Sequence, residues 1–286
     1  MLKVKDPGFY TSVQDLGRYG YRHMGVPPSG ALDQAAAARV NHLLENEDSA
    51  ALLEMTMHGA VLEFTEPTYF ALSGALMEVL LNGEPIEEEQ VYKVEQGDEL
   101  DCRHIRQGLR AYMGVRGGLQ TDKRLGSRSY FLAVTKARKL SAHEELPYKP
   151  CEAYEPRILK LSPARLYKEY KLEAFPGPEY DLLNQKQREL LFGKEFHLAK
   201  EHDRMACQLQ ENLPAHDIPM ITSATLPGTV QITPSGKLII LLRDGQTTGG
   251  YPRILQLSER ALNILAQKRF GDSVRFISAG HTSRTF

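Results

Sequence analysis

Residues 228–254 read GTVQITPSGKLIILLRDGQTTGGYPRI, and this stretch decides the fold class. It holds two short apolar runs, VQI and LIILL, on either side of the turn TPSG. Short apolar runs that end in glycine- and proline-containing turns are typical of β-strands. We therefore predict one strand within 228–236 and a second within 237–245.

The same pattern recurs along the chain. Further strands are predicted at 68–74, 76–83, 91–100 and 109–118. Asn82-Gly83 indicates a hairpin after the second of these, because both residues tolerate positive φ. Such closely spaced strands favour a mainly β barrel or sandwich over alternating β-α units.

Helices are few and short. The helical patterns cover 29–49, 181–193 and 258–271. Ser29 or Asp33 can cap the first helix, and Ser258 and Gly271 are suitable start and stop residues for the last.

The length of 286 residues favours two domains over one. Pro7-Gly8 and Pro176-Gly177 are 169 positions apart, as are Gly59 and Gly228, which suggests a weak duplication. We therefore predict an N-terminal domain at 1–150 and a C-terminal domain at 151–286. The proline-rich segment 146–160 would join them.

Charge and hydropathy exclude several classes of protein. The net charge is −1 with no basic block, which argues against a nucleic-acid-binding protein. No apolar run approaches the ~20 residues of a membrane span, and the N-terminus lacks the apolar core of a signal peptide. We expect a soluble, cytoplasmic protein with no membrane partner.

Metal and disulfide sites are not expected. The three cysteines, Cys102, Cys151 and Cys207, are far apart and odd in number. The nine histidines show no H-E-x-x-H spacing.

Four segments interrupt the strands with small polar residues and glycines. The first, PGFYTSVQDLGRYGYRHMGVPPSGALD (7–33), contains Gln14, Asp15, Ser29 and Asp33. The residues alone leave two interpretations open. The segment is either a ligand-binding loop or a surface loop that leads into a helix, with Asp33 as the cap.

The second segment, RGGLQTDKRLGSRSY (116–130), contains Ser127 and Arg128 between glycine turns. A guanidinium group matches the planar geometry of a carboxylate or phosphate, so this segment is either an anion clamp or a hairpin with exposed arginines. It lacks the spacing of a phosphate-binding P-loop.

The third segment, KEHDRMACQLQ (200–210), contains the pair Asp203-Arg204. This pair is either functional or a plain surface ion pair, and the segment by itself favours the surface pair.

The fourth segment is LLRDGQTTGGYPRI (241–254), which leaves the apolar strand at 237–242. Its hydrogen-bonding and small residues are Asp244, Gln246, Thr247, Thr248, Gly249, Gly250 and Tyr251. Glycines let backbone N–H groups approach a ligand without a Cβ in the way. A turn needs only one or two such residues, so this density indicates a polar pocket for a small molecule.

In this order the segments resemble the KipA family of biotin-dependent carboxyltransferase-like proteins, which includes the C component of 5-oxoprolinase and allophanate hydrolase subunit 2. The supporting motifs are SVQDLGR (12–18), GVPPSGALD (25–33), LGSRS (125–129), HDRM (202–205) and QTTGGYP (246–252). The resemblance implies a mainly β fold of two cyclophilin-like β-barrel domains with a few short helices.

The resemblance also implies a function. It points to the C component of an ATP-dependent 5-oxoprolinase complex, which hydrolyses 5-oxo-L-proline to L-glutamate with a KipI-like B component and a LamB/YcsF-like A component. ATP is then used by the complex, and we expect no cofactor on this chain alone.

Two alternatives remain open. One is a carboxyltransferase component that acts on urea or another amide, with biotin on a separate carrier because this chain has no Met-Lys-Met motif. The other is a non-catalytic regulatory protein that binds and antagonises a KipI-like kinase inhibitor. The second alternative draws on lost glycines, since 132–146 contains none and Ala206-Cys207 follows Arg-Met where the family commonly has glycine.

The chemistry that the resemblance implies suggests roles for these residues. A lactam or urea is resonance-stabilised, so its activation needs donors aimed at the carbonyl oxygen where charge develops. Donors would be Gln246, Thr247 and the glycine amides, while Arg128 or Arg204 would hold a substrate carboxylate and Asp203, Asp15 or Asp33 a proton. The predicted catalytic residues are Asp203, Arg204, Gln246 and Thr247, and the predicted substrate-binding residues are Gln14, Asp15, Ser29, Asp33, Ser127, Arg128, Thr248, Gly249, Gly250 and Tyr251.

Overall fold

The structure is a computed structural model that describes residues 1–279. It is 38% strand and 13% helix, which confirms the predicted mainly β class. The chain divides into two compact units: residues 1–19 with 29–168, and residues 20–28 with those from 169 on. No helix within the described residues is long and apolar enough to span a membrane.

The first unit is one curled sheet of nine strands with a single α-helix in its described residues. Its elements are β1 (Leu2–Asp6), β2 (Tyr10–Gln14), α1 (Gln34–Leu43), β3 (Leu52–Thr56), β4 (Val61–Phe64), β5 (Thr68–Leu81), β6 (Glu84–Ile86), β7 (Val91–Val94), β8 (Glu99–Val115) and β9 (Glu145–Leu146). The order is β2-β3-β8-β4-β1-β9, and β5 joins the sheet through β8 and also pairs with β6 and β7.

The two strands predicted at 68–74 and 76–83 form the single strand β5. The long strand β8 pairs with β5 on both sides of the expected break, and a register shift between Gly74 and Leu76 absorbs the irregularity. The hairpin at Asn82-Gly83 is confirmed: these residues have φ of 54° and 83° and connect β5 to β6.

Helix α1 is shorter than the predicted 29–49 because its start is fixed by Asp33. The Asp33 carboxylate accepts a hydrogen bond from the Ala36 backbone N–H at 3.0 Å. Before it, Ser29 has a φ of 55°, and Ala31 N–H donates to the Asp15 carbonyl at 2.9 Å, so the chain here follows β2 instead of continuing the helix.

Residues 151–168, predicted from the sequence to belong to the second domain, group with the first unit. Cys151 N–H donates to the Pro67 carbonyl, and Leu161 N–H to that of Glu89. The Tyr154 ring packs edge-on against Tyr69 with 5.2 Å between centroids. Backbone pairing and aromatic packing therefore hold residues 151–168 against the first sheet.

The second unit is a closed seven-stranded barrel with two α-helices in its described part. Its elements are β10 (Lys171–Pro176), α2 (Gln185–Gly193), β11 (Phe196–His202), β12 (Ala206–Leu209), β13 (Ser223–Ala224), β14 (Thr229–Ile232), β15 (Leu238–Leu241), β16 (Thr248–Gly249), β17 (Arg253–Leu257), α3 (Glu259–Ala266) and β18 (Ser273–Ser278). The barrel order is β10-β17-β14-β15-β12-β11-β18, closed by parallel pairing of β18 with β10, while β13 and β16 pair separately. The two strands predicted within 228–245 are confirmed as β14 and β15.

The helices of this unit differ from prediction at their ends. Helix α2 begins at Gln185 instead of 181, because Asn184 and Gln187 form a reciprocal capping box. Ser258 caps α3 as predicted, with its hydroxyl accepting from Ala261 N–H at 3.2 Å. Helix α3 ends at Ala266, one turn before the predicted stop at Gly271.

The barrel interior predicts a large cost for truncating Phe276 on β18. Phe276 is fully buried and packs on Phe196 with 5.5 Å between ring centroids. Phe276→Ala should lower the free energy of unfolding by about 3–5 kcal/mol, as measured by urea denaturation. The control is Ile277→Ala on the outer side of the same strand, which should cost about 1 kcal/mol or less. Equal losses in both variants would contradict this assignment of the core.

The half-buried carboxyl group of Glu88 gives the first unit a pH-dependent stability. Burial raises the pKa of Glu88 from an ordinary 4.5 to about 7, Glu89 adds to the rise, and the Met77 N–H and Arg165 oppose it. Because the folded-state pKa is raised, the stability from this group is fully present below pH 4.5 and is lost as pH rises through about 7.

Glu88→Gln should therefore flatten the fall in unfolding midpoint between pH 4.5 and about 7. The variant should be more stable than the unmodified chain above that range, since no charge has to be buried. The matched control is Glu84→Gln on the exposed strand β6, which should retain the slope. An unchanged slope in Glu88→Gln would show that this carboxyl does not titrate as described.

Candidate functional site

In the first unit, the Asp15 carboxylate joins the first two polar segments. Its Oδ1 accepts hydrogen bonds from the hydroxyls of Ser127 and Ser129, both at 2.6 Å, and from Gly17 N–H at 2.8 Å. Its Oδ2 accepts from Arg128 N–H at 2.7 Å. Asp15 is itself only 8% exposed. Four donors on one buried carboxylate make Asp15 an anchor for the turn at 127–129.

Three other predicted binding residues lie in the first unit. Gln14 is fully buried, and its amide donates to the Ser12 hydroxyl at 2.9 Å. Ser29 is also fully buried. The carboxylate of Asp33 caps helix α1. The capping role that the sequence left open for Asp33 is therefore present.

The side chain of Arg128 folds back on its own loop. Its guanidinium donates to the Gln120 side-chain oxygen at 3.0 Å, and Gln120 in turn donates to the Gly117 carbonyl at 2.8 Å. This chain of hydrogen bonds fixes the loop at 116–130.

In the second unit, the third and fourth polar segments meet at a cavity of ≈ 510 Å³. Asp203, Gln246 and Tyr251 are the predicted site residues that line it. Two segments that are about forty residues apart in sequence are thus brought to one concave surface of the barrel unit, which is the usual form of a small-molecule site.

Strand register supplies the floor of this cavity. Gln208 on β12 pairs with Ile239 on β15, and Ile239 pairs with Gln231 on β14. Two residues further along the same strands, and on the same face, Ala206 pairs with Leu241. All five residues line the cavity. Paired residues of antiparallel strands face the same side, so the floor is a single sheet surface with amides flanking aliphatic side chains.

The two residues of the predicted pair Asp203-Arg204 do different work. Asp203 is exposed, and its Oδ1 accepts from the backbone N–H groups of Met205 and Ala206 at 2.7 and 3.0 Å. Arg204 is 7% exposed and bonds to Asp244 at 2.8 Å. The ion pair of Arg204 is thus a buried one with Asp244, and it links the third segment to the fourth.

Residues 247–249 of the fourth segment pair with residues 223–225 of the same unit. Thr248 and Gly249 form β16 and pair with Ala224 and Ser223 of β13. The Thr247 carbonyl accepts from Thr225 N–H at 3.1 Å. Of the described residues in 247–250, none lines the cavity.

Four polar residues of the cavity were not predicted: Glu201, His202, Gln208 and Gln231. The first two stand at the end of β11, beside the predicted Asp203. Gln208 and Gln231 each lie between buried apolar neighbours in a strand. That alternation is the available sequence signal, because it places them on the face opposite the core.

The part of the chain that the structure describes holds no cluster suited to a metal ion. Among residues 1–279, no three His, Cys, Asp or Glu side chains group together as potential ligands.

Comparison with known proteins agrees with this architecture. The family model described as carboxyltransferase domain, subdomain A and B, matches residues 24–278. The chain belongs to this carboxyltransferase domain family. It is 32% identical to the C component of 5-oxoprolinase from Escherichia coli (strain K12) over 97% of this chain and 91% of that protein.

Two solved structures have the same fold. The crystal structure of TTHA0988 is 31% identical with a TM-score of 0.88, covering 97% of this chain and 56% of that one. The K. lactis urea amidolyase is 26% identical with a TM-score of 0.87, covering 97% of this chain and 18% of that one. The chain therefore spans little more than half of the first solved chain and a small part of the second.

In this family member, the Asp15 network predicts a structural phenotype. Asp15→Ala would leave two buried hydroxyls and two N–H groups without their acceptor, so unfolding free energy should fall by about 2–4 kcal/mol. Urea denaturation measures it, with Asp122→Ala in the same polar segment as control. Asp122 is 81% exposed, and its loss should change stability by about 0.5 kcal/mol or less. If the Asp15→Ala variant were as stable as the Asp122→Ala control, Asp15 would not anchor the turn at 127–129.

Proposed function

We propose that this protein is the C component of an ATP-dependent 5-oxoprolinase complex, which hydrolyses 5-oxo-L-proline to L-glutamate. The observation that supports it most strongly is 32% identity to a 5-oxoprolinase C component over 97% of the chain and 91% of the relative. The proposed partners are a KipI-like B component and a LamB/YcsF-like A component. ATP is assigned to the complex and no cofactor to this chain alone.

The cavity of the second unit is the proposed site of the lactam. Hydrolysis adds water across the ring C–N bond: the hydroxyl goes to the carbonyl carbon and a proton goes to the nitrogen. The carbonyl oxygen gains negative charge on the way, and a fixed N–H donor beside it lowers the barrier. The Gln246 amide is the proposed donor.

A second group must handle the proton. Asp203 lines the same cavity, and the N–H groups of Met205 and Ala206 hold its Oδ1 in place. A carboxylate with a fixed orientation can take the proton from water or pass it to the leaving nitrogen. Asp203 is the proposed proton carrier, with Glu201 and His202 beside it in the lining.

The two arginines that the sequence suggested for binding a substrate carboxylate do not line this cavity. Arg204 is paired with Asp244 inside the protein and is absent from the described cavity lining. Arg128 belongs to the first unit and donates to Gln120. We assign Arg204 to positioning the fourth segment, and leave Arg128 as the candidate for a carboxylate elsewhere in the assembled complex.

A carboxyltransferase component is the second candidate function. It is supported by the family description and by the TM-score of 0.87 to the K. lactis urea amidolyase. The substrate would be urea or another amide, and biotin on a separate carrier would supply the carboxyl group. The amides of Gln231 and Gln246 are suitable partners for a ureido group, since both line the cavity.

Activity of the assembled complex is the direct test. The chain should be co-expressed with the KipI-like and LamB/YcsF-like components and assayed for ATP-dependent release of glutamate from 5-oxo-L-proline. Gln246→Ala should lower turnover about tenfold or more, because a transition-state donor is lost. Gln185→Ala, at the exposed start of α2, is the matched control and should keep full turnover.

The other outcomes separate the candidates. Carboxylation of urea with a biotinylated carrier, without glutamate release, would favour the carboxyltransferase function. A stable complex with the KipI-like component that turns over neither substrate would favour a regulatory protein.

A further inference from the structure

The cavity of the second unit has the chemistry to distinguish one geometry of amide from another. We propose that Gln246 and Gln231 recognise the cis edge of an uncharged amide, as in a lactam or a urea, and that they exclude trans amides. This inference rests on the proposed function and adds the recognition element of its substrate. Gln231 becomes a specificity-determining residue.

Gln246 is the first half of the argument. It lines the cavity, and its side-chain oxygen is buried with no hydrogen-bond partner among the described residues. Its backbone carbonyl is used by the Thr225 hydroxyl, so the residue is fixed while the side-chain amide is not engaged. A buried polar atom without a partner is costly, and a ligand N–H would satisfy it.

Gln231 is the second half. It is 1% exposed, lies on β14 in the floor, and donates one amide N–H to the Tyr251 carbonyl at 3.3 Å. A Cβ at Gly249 would lie 2.5 Å from its Nε2, so glycine at 249 leaves the space that this amide fills. The Gln231 amide is thereby oriented by its surroundings, and in this proposal its second N–H donates to the ligand.

The geometry of the ligand follows from these amides. A lactam ring forces its N–H and C=O onto the same edge, and urea presents the same edge. A glutamine side-chain carboxamide has a matching edge, so the carboxamide and the ligand can form a pair of antiparallel hydrogen bonds. An acyclic secondary amide is trans, and reaching the cis form would weaken its binding roughly 60-fold, equivalent to about 2.5 kcal/mol.

Charge around the cavity favours an uncharged group at this position. Its lining includes the carboxylates of Glu201 and Asp203, and among the described lining residues none is a lysine or an arginine. A ligand carboxylate beside them would be repelled. For 5-oxoproline, the lactam edge would therefore enter, and its carboxylate would point away from Glu201 and Asp203.

The test uses three small probes on the full chain and on the assembled complex: 2-pyrrolidone, N-methyl-2-pyrrolidone and N-methylacetamide. Binding is measured by saturation-transfer NMR titration. We expect 2-pyrrolidone to bind and the other two probes to bind about tenfold more weakly or worse. N-methyl-2-pyrrolidone lacks an N–H, and N-methylacetamide is trans. 2-Pyrrolidone should also compete with 5-oxo-L-proline in the complex.

Isosteric variants connect the binding to the glutamines. Gln246→Glu and Gln231→Glu replace the donor NH₂ with an oxygen, and each should weaken 2-pyrrolidone about tenfold or more. Gln185→Glu on the exposed start of α2 is the matched control and should bind as the unmodified chain does. Thermal unfolding shows whether each variant is folded. If Gln231→Glu does not fold, the Gln246→Glu variant alone carries the test.

The outcomes separate this inference from the proposed function. If 2-pyrrolidone binding depends on Gln246 in a complex that has no 5-oxoprolinase activity, the result would support the inference and contradict the proposed function. Glutamate release that persists in Gln246→Glu would keep the function and overturn the inference. Equal binding of all three probes, or no binding of 2-pyrrolidone to chain or complex, would also overturn it.

Discussion

The antiparallel register of β12, β15 and β14 is the constraint on which the candidate site depends. One row across these strands, Cys207, Ile240 and Val230, is fully buried in the barrel. The adjacent row, Gln208, Ile239 and Gln231, forms the cavity floor. Side chains alternate along a strand, so a slip of one residue would put amides into the core and aliphatic side chains into the cavity. The burial that closes the barrel therefore also fixes where the amides stand.

The sequence could predict what is local and not what depends on pairing. The strands at 228–245, the Asn82-Gly83 hairpin and the Ser258 cap were all predictable, because each follows from neighbouring residues. The single strand β5 was not, because its continuity is imposed by β8 from about thirty residues away. In the site, Asp203 and Gln246 were singled out from their motifs, whereas Gln231 lies in an ordinary strand. The alternation of apolar and polar residues places Gln231 opposite the core, and the strand register then brings it to the cavity.

The motif residues also divide between folding and chemistry in a way that sequence does not reveal. Asp15 receives four hydrogen bonds and Arg204 is paired with Asp244, so both hold loops together. Gln246 has a buried oxygen without a partner among the described residues and faces the cavity. A side chain whose hydrogen-bonding capacity is already used has little left for a ligand. Satisfied and unsatisfied polar groups within one motif therefore indicate different roles, although the motif presents them as equals.

The absence of glycines in 132–146 bears on whether the chain is catalytic or regulatory. This segment is held to the first sheet by backbone hydrogen bonds, Leu140 N–H to the Thr11 carbonyl and His143 N–H to that of Val4. Such bonds need no particular side chain, so glycine is not required for them. In the second unit, Cys207 lies in the barrel core and Ala206 alone of this pair lines the cavity. Ala206 contributes one methyl group to the cavity floor, and the polar groups of the cavity are in place beside it. The residues that stand in place of glycine in these two segments therefore remove no polar group from the cavity.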